Sequence, residues 1–143
     1  MMEWMQNFFS GVIPKLLLNA TLETLYMTFV STALAFILGL VLAIVLILTR
    51  RGGLCENRIV YAVLDVVINT LRSFPFIILL IVLFPLTKLL VGTSIGTTAA
   101  IVPLTIGSAP FIARLIESAL LEVDSGVIEA AKSFGASKTQ IIF

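Results

Sequence analysis

Apolar positions in this chain come in runs too long for a soluble helix, and polar ones collect at the ends of those runs. Leu25 to Leu48 holds 24 residues without a charge, against the roughly 20 that a helix needs to cross the hydrocarbon core of a bilayer. This predicts a first span over about residues 22–49. Before it, Met1 to Leu18 carries Trp4, Phe8, Phe9, Val12 and Ile13 among few charges. It lacks the basic start of a secretory signal peptide. Residues 1–20 read as an interfacial segment with Trp4 at the headgroup level; a disordered tail is the alternative.

The next apolar stretch, about 59–90, is interrupted by Asp65, Arg72 and Lys88 and by Pro75 and Pro85. It reads either as one long bent helix, or as an interfacial helix to about Leu71 followed by a span from Ser73 to Leu89. In both versions the chain crosses once. Arg72 is a functional candidate because burying an ionisable group in a membrane is costly unless it is paired or hydrated. Snorkelling to the interface accounts for it equally well.

A third span is expected over about 95–121. It carries Gly96, Thr97, Thr98, Ala99, Ala100, Gly107, Ser108 and Ala109, with Pro103 and Pro110 inside it. Small residues let helices approach closely, and a broken backbone is tolerated at membrane depth only against protein or a water-filled cavity. Two readings follow: a helix that lines a pathway, or one that is closely packed. Arg114 and Glu117, three apart near its end, are placed to pair.

Asp124-Ser125 then offers capping side chains for a further helix. Val127, Ile128, Ala131 and Phe134 share one face of that helix, with Glu129, Lys132 and Ser133 away from it. Gly135 suits the left-handed stop, and Ser137 is placed to cap a second short helix running on towards Ile142. A helix–glycine–helix elbow over about 125–140 is therefore expected.

Composition sharpens the class. Of 143 residues, 59% are hydrophobic and 12% charged, and mean hydropathy is +1.16, which excludes an ordinary soluble domain. The fold class is all-α, a polytopic transmembrane bundle. The net charge of +1 gives no electrostatic footprint for nucleic acid. Arg50, Arg51 and Arg58 follow the first span, whereas Lys15 alone precedes it, so the positive-inside bias puts the N-terminus outside and the elbow in the cytoplasm. The single Cys55 forms no internal disulfide.

Glu129-Ala130-Ala131, three residues, then Gly135 resembles the EAA loop of the permease subunits of bacterial ABC importers. That loop reads Glu-Ala-Ala, three variable residues, Gly, nine variable residues, Ile, one variable residue, Leu-Pro; its second half falls beyond Phe143. Further runs are similar to the methionine-type importer permeases: Leu71 to Leu80 with its Arg72-x-x-Pro75 opening, Val91 to Gly96, Ala99 to Thr105, Ala109 to Arg114 and Glu117 to Glu122. The resemblance covers about Leu25 to Phe143.

It implies that residues 21–143 are part of a five-span type I permease domain, C-terminally incomplete with three spans present. It implies a bacterial inner-membrane location, a second identical permease chain, two copies of an ABC ATPase subunit and an external methionine-binding lipoprotein. Glu129, Ala130, Ala131 and Gly135 would form the coupling helix that docks on the ATPase, and D- or L-methionine would pass inward by alternating access. Arg72, Pro75, Pro103 and Pro110 are the candidates for shaping the pathway or its gate. A permease for another amino acid or a small peptide, and a non-transporting assembly subunit, are the alternatives.

Two patterns point elsewhere and are discounted. Gly92-Thr93-Ser94-Ile95-Gly96 matches G-x-S-x-G, but a serine nucleophile needs a base and the chain has no histidine. Gly135-Ala136-Ser137-Lys138-Thr139 lacks the spacing of a phosphate-binding loop, so the chain is not expected to bind ATP itself; the resemblance assigns ATP hydrolysis to a separate subunit. No cofactor motif and no clustered metal ligands are read from the sequence.

Overall fold

The computed structural model describes residue 11, residues 13–123 and 125–137, and residue 140. Among the described residues five helices follow one another: α1 (Ile13–Thr49), α2 (Arg58–Ser73), α3 (Phe76–Val91), α4 (Thr97–Leu121) and α5 (Ser125–Ser133). Among the described residues there is no strand, so the architecture is all-α, as the apolar runs demand. α1 and α4 are each long and apolar enough to cross a membrane, and α2 with α3 makes a third span if the bent pair is counted as one.

α1 is longer than the expected span. Its 37 residues reach about 55 Å at 1.5 Å per residue. Residues 13–20, read from the sequence as part of an interfacial segment, are helical and continuous with the span. Pro14 sits in the first turn, where its missing N–H breaks nothing. The Thr21 and Thr24 hydroxyls fold back onto the carbonyls of Leu17 and Ala20, both at 2.7 Å. Trp4 lies outside the described residues.

The pairing of α1 with α4 organises the bundle. The Thr97 hydroxyl meets Glu23 at 3.3 Å, the Thr105 hydroxyl reaches the Ser31 carbonyl at 3.5 Å, and Gly39 abuts Ala109 and Ile112. Leu46 shares a buried cluster with Ala113 and Ile68. Residue numbers rise together along both helices, so α1 and α4 run parallel. The chain between them must therefore travel back from one end of the pair to the other.

Ser31, Ala35, Gly39, Ala43 and Leu46 are the buried residues of α1. They recur every three or four positions and form one stripe, nearly all small, that allows close backbone approach. At Gly39 an added Cβ would lie 2.7 Å from Ile112 Cγ2 and 3.0 Å from the Ala109 carbonyl. On α4, Ala99, Ala109, Pro103 and Pro110 are buried, whereas Gly96 at its cap, Thr98 and Ser108, also expected from the sequence to be part of the small surface, are exposed. Its backbone stays helical through both prolines rather than being interrupted. Close packing thus describes the side of α4 that faces α1.

The return path is made of two helices rather than one continuous bent one. α2 ends at Ser73 and α3 begins at Phe76, with a bend of 114° between them. Pro75 causes the break: it disfavours helical geometry in the preceding residue, and Phe74 is extended at φ −76°, ψ 135°. α2 is amphipathic and starts at Asn57, whose side chain accepts from the N–H groups of Ile59 and Val60. α3 ends at Gly92, left-handed at φ 84°.

Candidate functional site

Two groups of polar residues lie where α1, α2 and α4 converge and where α4 hands over to α5. The first is built on Arg114. Its Nη1 donates to Glu117 Oε2 at 2.7 Å, one ridge further along α4, and its Nη2 donates to Asp65 on α2. The same Nη2 lies 3.4 Å from Asn69 Oδ1. Glu117 is 5% exposed, which its ion pair makes tolerable. The sequence pointed to the Arg114–Glu117 pair but not to Asp65, 49 positions away. Only the fold joins them.

Directly beside the ion cluster is an apolar one. Leu46, Ile68 and Ala113 are buried together, flanked by Leu42, Tyr61 and Leu64. α1, α2 and α4 are thereby tied at one level by both packing and charge.

The second group is the elbow. After α4 the Glu122 N–H bonds to the Ala119 carbonyl at 3.3 Å, and α5 starts at Ser125. The expected cap Asp124 lies outside the described residues. Glu129 and Ala130 are exposed and Ala131 half-buried. The carbonyls of Ala130 and Ala131 accept the closing bonds of the helix, from the N–H groups of Phe134 and Ala136, both at 3.1 Å. Gly135 is left-handed at φ 83°, and the six-residue Ala136-to-Ala131 closure is the Schellman arrangement that such a glycine permits.

Ser137 and Gln140 then bond reciprocally: the Ser137 N–H donates to Gln140 Oε1 at 2.9 Å, and the Gln140 N–H to Ser137 Oγ at 3.4 Å. This is the capping-box pattern at the expected start of a second short helix, whose run towards Ile142 lies mostly outside the described residues. Val127 is 63% and Phe134 91% exposed, so the apolar side of α5 faces away from the chain's own core.

The remaining candidates separate. Arg72 lines a groove of about 250 Å³ with Leu71, Phe74, Phe76, Leu79, Gly107 and Phe111. Pro75 forms the bend beside that groove. Pro103 and Pro110 are buried in the bundle and do not line it. Ser94 donates its hydroxyl to the Phe84 carbonyl at 3.3 Å, a structural use of that serine. Among the described residues no group of His, Cys, Asp or Glu could hold a metal ion.

A bundle of membrane-length apolar helices with α1 and α4 parallel, followed by a short helix closed at Gly135, has the form of a polytopic membrane protein. Residues 35–143 match the family of the binding-protein-dependent transport system inner membrane component, and the chain belongs to that family. It is 56% identical over 127 residues to the probable D-methionine transport system permease protein MetI of Vibrio cholerae serotype O1, covering 89% of this chain and 56% of the relative. To the D-methionine transport system permease protein MetI of Yersinia pestis it is 55% identical over 120 residues, 84% of this chain and 55% of the relative.

Among solved structures, the inward-facing MetNI methionine ABC transporter in its CY5 native crystal form aligns with a TM-score of 0.89 at 48% identity. That alignment covers 93% of this chain and 62% of the matched chain. The chain thus spans a little over half the length of the curated relatives it matches.

Proposed function

We propose that the chain serves as a permease subunit of an ATP-driven importer, passing methionine inward across the bacterial inner membrane by alternating access. The observation that carries this reading is the elbow: α5 is capped and closed as a discrete unit, yet exposes Val127 and Phe134. An apolar helix face rimmed by Glu129 suits a groove on a partner protein. Similarity to permeases named for D-methionine transport supports the substrate.

In this reading Glu129, Ala130, Ala131 and Gly135 seat on an ABC ATPase subunit. Two such subunits serve a pair of permease chains, and an external methionine-binding lipoprotein delivers substrate. The parallel α1–α4 pair supports the topology inferred from charge, because it puts Arg50, Arg51 and α5 towards the same end of the bundle. That end is cytoplasmic and the N-terminus external. Arg72 and Pro75 shape the pathway at the bend, while Pro103 and Pro110 contribute by setting the packed form of α4.

The test is ATP-dependent uptake of labelled methionine into proteoliposomes holding the assembled transporter, with the ATPase subunit co-purified. Glu129→Lys and Gly135→Pro are expected to abolish retention of the ATPase and uptake together. Uptake of another amino acid in preference to methionine would move the substrate assignment. Retention unaffected by both substitutions would reject the elbow as the docking element.

A further inference from the structure

The Arg114 cluster does more than pair two neighbours on one helix. One guanidinium edge is fixed by Glu117 within α4, and the other extends across to α2, where it meets Asp65 and lies 3.4 Å from Asn69. Asp65 and Asn69 are four residues apart, so they stand one above the other on the same face of α2. Arg114 therefore has two acceptors one helical turn apart. Both are engaged at once, so Arg114 ties α4 to a full turn of α2, and a shift of either helix is felt by the other.

The surroundings favour transmission over simple bracing. The Leu46–Ile68–Ala113 cluster already holds α1, α2 and α4 together at this level. Ion pairs in such places are often no more stabilising than apolar contacts, and their best-attested use is to specify register. From Arg114 to Leu121, α4 is unbroken helix leading straight to the elbow. The Arg114 Nε is buried without a partner among the described residues, which leaves the group one unmet hydrogen bond in the arrangement seen.

We infer that Arg114 is a positioning residue for transport. It carries movement of α5 across to α2 through its simultaneous bonds to Asp65 and Asn69. This rests on the reading that α5 docks on a nucleotide-driven partner.

The test reads α2 directly. In the assembled transporter, Val66→Cys, at an exposed α2 position, is introduced with Cys55→Ser, and thiol labelling is timed with and without ATP and vanadate. The parent is expected to change its labelling rate about threefold with nucleotide. Arg114→Gln and Asp65→Asn should flatten that response, and Asp65→Glu, which keeps the carboxylate, should retain it. Asp65→Asn preserves side-chain shape, so it remains informative if Arg114→Gln folds poorly.

A response that survives undiminished in folded Asp65→Asn and Arg114→Gln overturns the inference, as does a parent in which nucleotide leaves the rate unchanged. Retention of the ATPase subunit is measured on the same samples. If the parent retains none, the functional reading fails at its own step, distinguishable from failure of the Arg114 linkage.

Discussion

Gly39 of α1 rests against Ile112 of α4 so closely that a methyl group at Gly39 would stand 2.7 Å from Ile112 Cγ2 and 2.9 Å from its Cβ. A third close atom is the Ala109 backbone carbonyl, 3.0 Å away. Rotating Ile112 alone would not clear the space. Gly39→Ala would gain helix propensity but lose more to overpacking, a net cost of about 1–2 kcal/mol. Thermal unfolding in detergent should show the loss, and Ile112→Ala in the same chain should recover part of it. Unchanged stability would mean that the two helices are not held at this spacing.

That contact also shows where sequence reading stops. The charge-free run Leu25–Leu48 and the small, proline-bearing run 95–121 announced α1 and α4, because the apolar length needed to cross a bilayer is a local property of the chain. Pro75 announced a break whose form was left open. Gly135 and Ser137 were equally legible, since capping is settled within a few residues.

What could not be read was which helices pair and in which sense. The stripe Ser31, Ala35, Gly39, Ala43 is visible only once a partner requires a face, and Asp65 meets Arg114 by tertiary placement alone. The twice-interrupted backbone expected of α4 failed for a related reason: packing keeps helical geometry through Pro103 and Pro110.

Asn57 caps α2 with bonds to the Ile59 and Val60 N–H groups at 3.1 and 3.2 Å. Asn57→Ala should cost about 1 kcal/mol and Asn57→Asp much less. Limited proteolysis across residues 50–58 would report the difference, with faster cleavage in the alanine variant only.

Gly135 has open space around its missing Cβ, so substitution there acts through backbone conformation alone. At φ 83° a β-branched residue is strained by about 1–2 kcal/mol, whereas Asn tolerates this region better. Gly135→Val should therefore weaken ATPase retention roughly 5- to 30-fold and Gly135→Asn less. Equal retention by both variants would detach the elbow's geometry from docking.

Phe134, 91% exposed, has almost no packing to lose within the chain. Phe134→Ala is expected to leave thermal stability within about 0.5 kcal/mol while reducing ATPase retention by about tenfold or more, as loss of a buried aromatic anchor does. A stability loss without a retention loss would place Phe134 in the permease's own packing instead.

The parallel run of α1 and α4 has an electrostatic consequence. In an antiparallel hairpin the peptide dipoles largely cancel, but here both C-terminal ends, each equivalent to about half a negative charge, point to the same end of the bundle. The N-terminus of α2, at Arg58, offsets one of them. The N-terminus of α5, at Ser125 just after α4, offsets the other. Arg50 and Arg51, directly after α1, therefore supply charge that the paired helix ends do not. The end that carries the elbow owes its polarity to its arginines rather than to the direction of its helices.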